Sequence, residues 1–193
     1  MIIGLTGGIG AGKSVIGRIL ESFGFPVYYS DFEAKKLMKT DPIIREELSK
    51  LLDEEIYKSG QLDRERLAKI IFSSAGLRDE VNHLIHPRVR EHFNLFCEEN
   101  SMKKLIFNEA AILFETGAYE NFDKNILVIA PDELRIKRVM KRDNISAQEV
   151  KNRINAQWSD ARKKKLADHI IVNDGKTALL DQVKKIVDQL ISS

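Results

Sequence analysis

Short apolar runs alternate along the chain with longer stretches whose apolar residues recur at helical spacing. Met1-Ile2-Ile3-Gly4-Leu5-Thr6 is the first run and suits a buried strand. From Lys13 to Phe23, the positions Val15, Ile16, Ile19, Leu20 and Phe23 share one helical face. Pro26-Val27-Tyr28-Tyr29 reads as a second strand, entered through the turn residues Gly24 and Pro26. The third covers Lys104 to Asn108, with Glu109 at its C-terminal end. Asn125 to Ala130 is the fourth, rich in branched residues and continuous enough to be buried on both faces. Ile170-Ile171-Val172 is the fifth, and after the turn Asn173-Asp174-Gly175 an amphipathic helix closes the chain over Thr177 to Ile191. Strands alternating with helices predict an α/β fold of three layers around a doubly wound, mostly parallel, five-stranded sheet.

One stretch departs from that rhythm. Residues 41 to 101 read as nearly continuous helix. Asp41-Pro42 opens one helix, Ser59-Gly60 makes a turn, and Asp63 caps a helix carrying Leu67, Ile70, Ile71 and Phe72. A further pattern runs from Leu77 through Val81, Leu84 and Ile85, is predicted to break at His86-Pro87, and resumes through Val89, Phe93 and Phe96. This is more helix than a simple crossover needs, so it predicts an inserted helical subdomain that binds an acceptor. Late in the chain Ser146 and Glu149 form a capping box at the start of a helix through Val150, Arg153, Ile154 and Gln157. Residues 139 to about 167 are charged and poor in large apolar side chains, which suits a mobile lid. Within it, Arg162-Lys163-Lys164-Lys165 reads as a solvated helix end. The expected organisation is one domain, with a core of about 1–31, 104–138 and 168–193, an insertion of about 32–103 and a lid of about 139–167.

Composition narrows the class without naming it. At 193 residues, 43% hydrophobic and 31% charged, the chain reads as an ordinary globular domain. A net charge of +2 gives no support to nucleic-acid binding. The one cysteine, Cys97, excludes an internal disulfide and sits in an apolar run as a packed thiol. No leader-like segment opens the chain and no run is long enough to span a membrane, so the expected compartment is the cytoplasm. Oligomeric state is not specified.

The chemistry enters at Gly7-Gly8-Ile9-Gly10-Ala11-Gly12-Lys13-Ser14, which reads G-x-x-x-x-G-K-S between a strand and a helix. Glycines let backbone close around phosphate, and the loop N–H groups and the helix N-terminus face the anion. Gly8 to Ser14 therefore bind the phosphates of a nucleoside triphosphate, with Lys13 reaching the β and γ groups and the Ser14 hydroxyl on Mg2+. Asp31 stands where the second strand gives way to a helix, the edge at which open α/β sheets bind ligands. Position alone leaves it either an N-cap or a carboxylate that accepts a hydroxyl proton or holds Mg2+ through water. His83 and His86 at i, i+3, with His92 beyond, lack the partners of a zinc set and read as structural or substrate-contacting. Arg135, Arg138 and Arg142 form one helical stripe, ordinarily a solvated face. After a late strand of a P-loop protein, such arginines can instead close over a triphosphate.

A GTPase needs N-K-x-D and D-x-x-G, and neither occurs. A motor or transporter ATPase is larger and ends an apolar strand in Asp, whereas here the third strand ends in Asn108-Glu109. A Rossmann enzyme fails on glycine spacing. A small P-loop kinase of the nucleoside-monophosphate-kinase type, with helical insertion and lid, fits best. Another small-molecule or nucleoside monophosphate kinase, or a non-catalytic ATP-responsive binding protein, are the alternatives.

Several segments resemble the dephospho-coenzyme A kinase family, in order and across essentially the whole length. They are Gly4 to Ser14, Gly60-Gln61-Leu62-Asp63-Arg64 with Ile71-Phe72, Leu84-Ile85-His86-Pro87-Arg88-Val89-Arg90, Ile112-Leu113-Phe114-Glu115, Arg138…Arg142-Asp143, Arg153…Gln157 and Ala167-Asp168…Asn173…Gly175. The resemblance implies ATP-dependent phosphorylation of the ribose 3′-hydroxyl of dephospho-CoA, the last step of coenzyme A synthesis, with Mg2+. It implies Asp31 as the base, Lys13 and Arg138 as charge stabilisers, and Thr6 near the phosphates on the substrate side. Arg142 is implied as a lid contact to ATP, Asn173 as a neighbour of the adenine, and His86 and Arg90 as lining the acceptor. Two departures stand out. The family's D-A-D reads Tyr29-Ser30-Asp31, which thins the acidic pocket around Mg2+, and Ala111 replaces the proline of P-L-L-F-E.

Overall fold

The computed structural model describes residues 1–52, 56–58 and 61–192. In chain order the elements are β1 (Ile2–Gly7), α1 (Lys13–Ser22), β2 (Val27–Tyr29), α2 (Ser30–Thr40), α3 (Pro42–Leu52), β3 (Tyr57–Lys58), β4 (Gln61–Leu62), α4 (Arg64–Ser73) and α5 (Ala75–Glu99). There follow β5 (Ile106–Glu109), β6 (Lys124–Ile129), α6 (Asp132–Asp143), α7 (Ala147–Asn155), α8 (Asp160–Lys163), β7 (His169–Val172) and α9 (Leu179–Ser192). The chain divides into two compact units, Met1–Tyr29 with Asn100–Ser193, and Ser30–Glu99.

The first unit holds a five-stranded sheet in the order β2-β5-β1-β6-β7, every pair parallel. β1 is central, so its residues are covered on both sides, and Ile3 and Leu5 are fully buried. They share a core with Phe107 of β5, Ile126 and Val128 of β6, Ile16 and Leu20 of α1, and Val183, Ile186, Val187 and Leu190 of α9. The i, i+3, i+4, i+7 spacing in α9 gives it one apolar face, which is what covers the sheet. Burying each such side chain contributes about 1.5–3 kcal/mol before chain entropy is set against it. This packing brings the carboxyl ends of all five parallel strands to one edge. Gly7, Tyr29, Glu109 and Val172 end their strands there.

The second unit is helical, with a core of Ile44, Leu48, Leu52, Ile56, Leu67, Val81 and Ile85. Asp41 Oδ1 accepts from the Ile43 and Ile44 N–H groups at 2.9 and 3.1 Å, and Asp63 accepts from Arg66 N–H at 3.0 Å, so both predicted helix starts are capped. The β3–β4 hairpin was not expected, because two-residue strands leave no readable alternation. The turn expected at Ser59-Gly60 and the side chains of Ile71 and Phe72 lie outside what is described. The predicted break at His86-Pro87 is absent, because α5 runs unbroken from Ala75 to Glu99 with Pro87 inside it. Pro87 removes one i→i−4 bond, but Val81 and Ile85 before it and Val89 after it, spaced four residues apart, pack into one core. Packing on both sides of the proline holds the helix through it.

Candidate active site

The loop from Gly7 to Gly12 follows β1 directly and delivers Lys13 and Ser14 to the first turn of α1. Gly12 adopts φ 100°, ψ 25°, a left-handed conformation that a side chain disfavours. A Cβ there would also meet Asn173 Nδ2 at 2.1 Å, and one on Gly8 would meet Arg135 Nη2 at 2.1 Å. The glycines are thus demanded by neighbours as well as by phosphate.

Those neighbours come from α6 and from the end of β7. The Asn173 amide donates to Ala11 C=O at 2.8 Å and its Oδ1 accepts from Arg138 Nη2 at 3.1 Å. Arg138 Nη1 also lies 3.4 Å from Gly10 C=O. Arg138 is therefore drawn onto the loop with its fork oriented by two fixed carbonyl dipoles. Arg135 is 5% exposed and donates through Nε to Ile9 C=O at 2.9 Å, while Nη1 pairs with Asp132 at 2.9 Å. The predicted arginine stripe accordingly splits. Arg135 is buried structure, Arg138 is half-buried at the loop, and Arg142 is exposed and paired with Asp143 at 2.6 Å.

Lys13 Nζ donates to Gly7 C=O at 3.0 Å and stands 3.8 Å from Glu109 Oε1. Glu109 is 6% exposed, a carboxylate buried beside an ammonium at the sheet's ligand edge. In the β2–β5 register it lies opposite Tyr29. Burial, then a hydrogen bond to Glu21, then the charges of Glu21 and Glu109 push the Tyr29 phenol well above its ordinary value, so this position carries no negative charge at neutral pH. The acidity lost at Tyr29 is thus matched in this unit by Glu109. The sequence assigns Glu109 no role beyond a strand end; its signal is that the last residue of a parallel strand lies at the ligand edge. Thr6 is fully buried and its Oγ1 has no hydrogen-bond partner. This orphan hydroxyl sits one residue before the loop and is closed off from solvent.

Among the described residues no group of three or more His, Cys, Asp or Glu forms a metal cage. Mg2+ does not require one. It keeps several waters and takes one or two carboxylates with substrate phosphates. The Ser14 hydroxyl and the Glu109 carboxylate, both oxygen donors, suit that habit.

Asp31, His86 and Arg90 belong to the helical unit. Asp31 is exposed in the first turn of α2, and His86 and Arg90 stand one turn apart on α5. His86 presents solvent-exposed area, yet the protein around its ring desolvates it enough to lower its pKa below 6.5. The positive neighbours His83 and Arg90 lower it further, and Asp31 pulls the other way. Of the three expected acceptor-side residues, His86 thus lies within electrostatic reach of both Asp31 and Arg90.

The solvated helix end expected at 162–165 fails at Lys163. It is fully buried, with Nζ 2.8 Å from Glu115 Oε1. Arg162 instead lies over Trp158, 3.2 Å from the ring centroid. A run of basic residues conceals the one that turns inward, because α8 is a single turn packed on the sheet unit. Gln157 also departs from expectation. α7 stops at Asn155, and the Gln157 side chain turns to accept from the Ile9 N–H at 2.8 Å.

Comparison with known proteins shows which family the chain resembles. The family model described as Dephospho-CoA kinase (CoaE) matches residues 1–178. A dephospho-CoA kinase of Bacteroides fragilis is 43% identical over 185 residues, covering 96% of this chain and 90% of that one. The crystal structure of a Thermus thermophilus protein superposes with a TM-score of 0.84 at 36% identity, covering 98% of this chain and 96% of the other. The dephospho-CoA kinase of Campylobacter jejuni superposes with a TM-score of 0.72 at 28% identity, covering 99% and 97%.

Proposed function

Because the chain belongs to the dephospho-CoA kinase family, we propose that it transfers the γ-phosphoryl group of ATP to the ribose 3′-hydroxyl of dephospho-CoA, giving coenzyme A and ADP. It is a kinase, and this reaction is the final step of coenzyme A synthesis. The observation that carries the site assignment is the loop with Lys13 beside Glu109 on one side and Arg138 held by Gly10 and Asn173 on the other.

In the proposed reaction the bond between the γ-phosphorus and the β–γ bridging oxygen breaks. A bond forms from the 3′-oxygen, and the hydroxyl proton passes to the Asp31 carboxylate. Little covalent work falls to the protein, so positioning and charge stabilisation carry the rate. Lys13 and Arg138 offset the charge spread over the phosphoryl oxygens and the leaving ADP. Arg138 needs little reorganisation for this, since two carbonyl oxygens already orient it. The hydroxyl's pKa lies far above 7, so Asp31 orients it first and takes the proton late. Mg2+, held by Ser14 and Glu109, would neutralise phosphate charge. Thr6 lies near the phosphates on the substrate side, His86 and Arg90 line the acceptor, and Arg142 and Asn173 serve ATP. Of the segment of about 139–167, the part before Gln157 acts as the lid, since Gln157 is held on the loop and Lys163 is buried against Glu115, and the helical unit receives the acceptor.

A coupled assay of ADP release tests the reading. Release should require both dephospho-CoA and Mg2+. Equal release with AMP, or with no acceptor, would contradict it.

A further inference from the structure

The peptide units flanking Ile9 are gripped from both directions. The Ile9 N–H donates to Gln157 Oε1 at 2.8 Å, and the Ile9 C=O accepts from Arg135 Nε at 2.9 Å. Both grips come from far along the chain, 148 and 126 residues away. The Ala11 N–H is likewise spent, on Gly8 C=O at 3.1 Å. Two loop N–H groups are therefore used to shape the loop rather than to bind phosphate.

The residue after Gln157 shows what seats it. Trp158 N–H donates to Glu115 Oε1 at 3.1 Å, and the same oxygen meets the Nζ of fully buried Lys163 at 2.8 Å. Lys163 and Glu115 form an ion pair without an aligned hydrogen bond, and Glu115 Oε2 is left unsatisfied. An ammonium buried in this way is costly unless paired, so the pair holds only while α8 stays packed. Asp160, also on α8, lies 3.8 Å from Arg135, the other half of the grip. A contiguous set of contacts thus runs from Lys163 and Glu115 through Trp158 and Gln157 to Ile9.

We propose that Gln157 is a positioning residue for the donor nucleotide, fixing the phosphate loop through the Ile9 peptide, with the buried Glu115–Lys163 pair as its seat. This rests on the kinase reading only for the identity of the donor. The loop's shape is a property of this chain whatever the acceptor. Gln157 acts through Ile9, so its removal loosens the loop before ATP arrives and leaves the acceptor side untouched. The part of the segment from 157 to 163 is accordingly a fixed anchor.

The test compares the full-length protein with Gln157→Met, which keeps side-chain length and removes the acceptor oxygen. ADP binding is read by calorimetry without acceptor, and KM for each substrate by ADP release. Losing one partly buried hydrogen bond that organises the loop predicts a roughly five- to tenfold weaker ADP affinity and a like rise in KM for ATP. KM for dephospho-CoA should stay within about twofold, and hydrogen exchange at the Ile9 amide should quicken. Lys163→Met should shift the same ATP parameters in the same direction. Unchanged ADP affinity in Gln157→Met, or an equal rise in both KM values, would overturn the proposal. Failure of the wild-type protein to phosphorylate any acceptor would sink the kinase reading alone, since calorimetry still reads the loop.

Discussion

Replacing Lys163 by Met isolates the energetics of the buried pair. The lysine is completely buried, and the Glu115 side chain is 14% exposed. Truncating one partner leaves the other charge with no counter-ion in a low-dielectric place, which costs about 3–5 kcal/mol. The lower end applies here, because the pair is not an aligned hydrogen bond and Glu115 Oε1 keeps the Trp158 N–H. A loss of about 3 kcal/mol in a chain of this length lowers the melting temperature by roughly 6–12 °C. Glu115→Gln alone should cost a similar amount, since it strands the ammonium. The double variant Lys163→Met/Glu115→Gln should recover most of the loss, because the glutamine still accepts from Trp158 and no unpaired charge is left. Urea unfolding followed by fluorescence suits the measurement, since Trp158 is the single tryptophan and sits within the set of contacts in question. Additive losses in the double variant, or a single variant as stable as wild type, would refute the argument.

Two further outcomes follow from the site and one from a helix cap. Gly12→Ala must hold a left-handed φ and fit a Cβ 2.1 Å from Asn173 Nδ2, so nucleotide affinity should fall more than tenfold in calorimetry while the fold survives. Asp31→Asn should leave KM for ATP nearly unchanged and lower kcat by roughly 10²–10⁴-fold, read as ADP release with saturating acceptor; full activity would remove Asp31 from the base role. Burial alone would raise the Asp41 carboxyl, but the Ile44 N–H, Arg88 and the Ile43 N–H together hold it below its ordinary 3.8. A depressed carboxyl contributes stability above its unfolded value and loses it as pH falls through the folded one, so stability should drop below about pH 4, and Asp41→Asn should flatten that slope in urea titrations between pH 5 and 2.

Features that are local in sequence were readable there. Gly7 to Ser14 carries its chemistry in contiguous residues, and the caps at Asp41, Asp63 and Ser146 act within three positions of themselves. The parallel sheet was readable because buried strands leave unbroken apolar runs between helical ones. What escaped depends on distant partners. Pro87 looks like a stop until Val81, Ile85 and Val89 are seen packed into one core across it. Lys163 is indistinguishable from Lys164 and Lys165 until Glu115, 48 residues earlier in number, turns out to face it. Glu109 looks like a strand terminus until Lys13 lies beside it, and Gln157 looks like a helix position until Ile9 takes its carbonyl. The resemblance gathered Gln157, Glu115 and Arg138 as marks of a family without saying that two of them meet the loop.

The transferred group and its destination define the reaction. Incubating the protein with ATP, Mg2+ and a panel of dephospho-CoA, AMP, other nucleoside monophosphates and no acceptor, then reading products by mass spectrometry, addresses it directly. The expected result is one phosphorylated product, coenzyme A, carrying the new phosphate on the 3′-oxygen, with ADP in equal amount. Phosphorylation of a different acceptor in preference, or ADP formed with no phosphorylated acceptor, would contradict it.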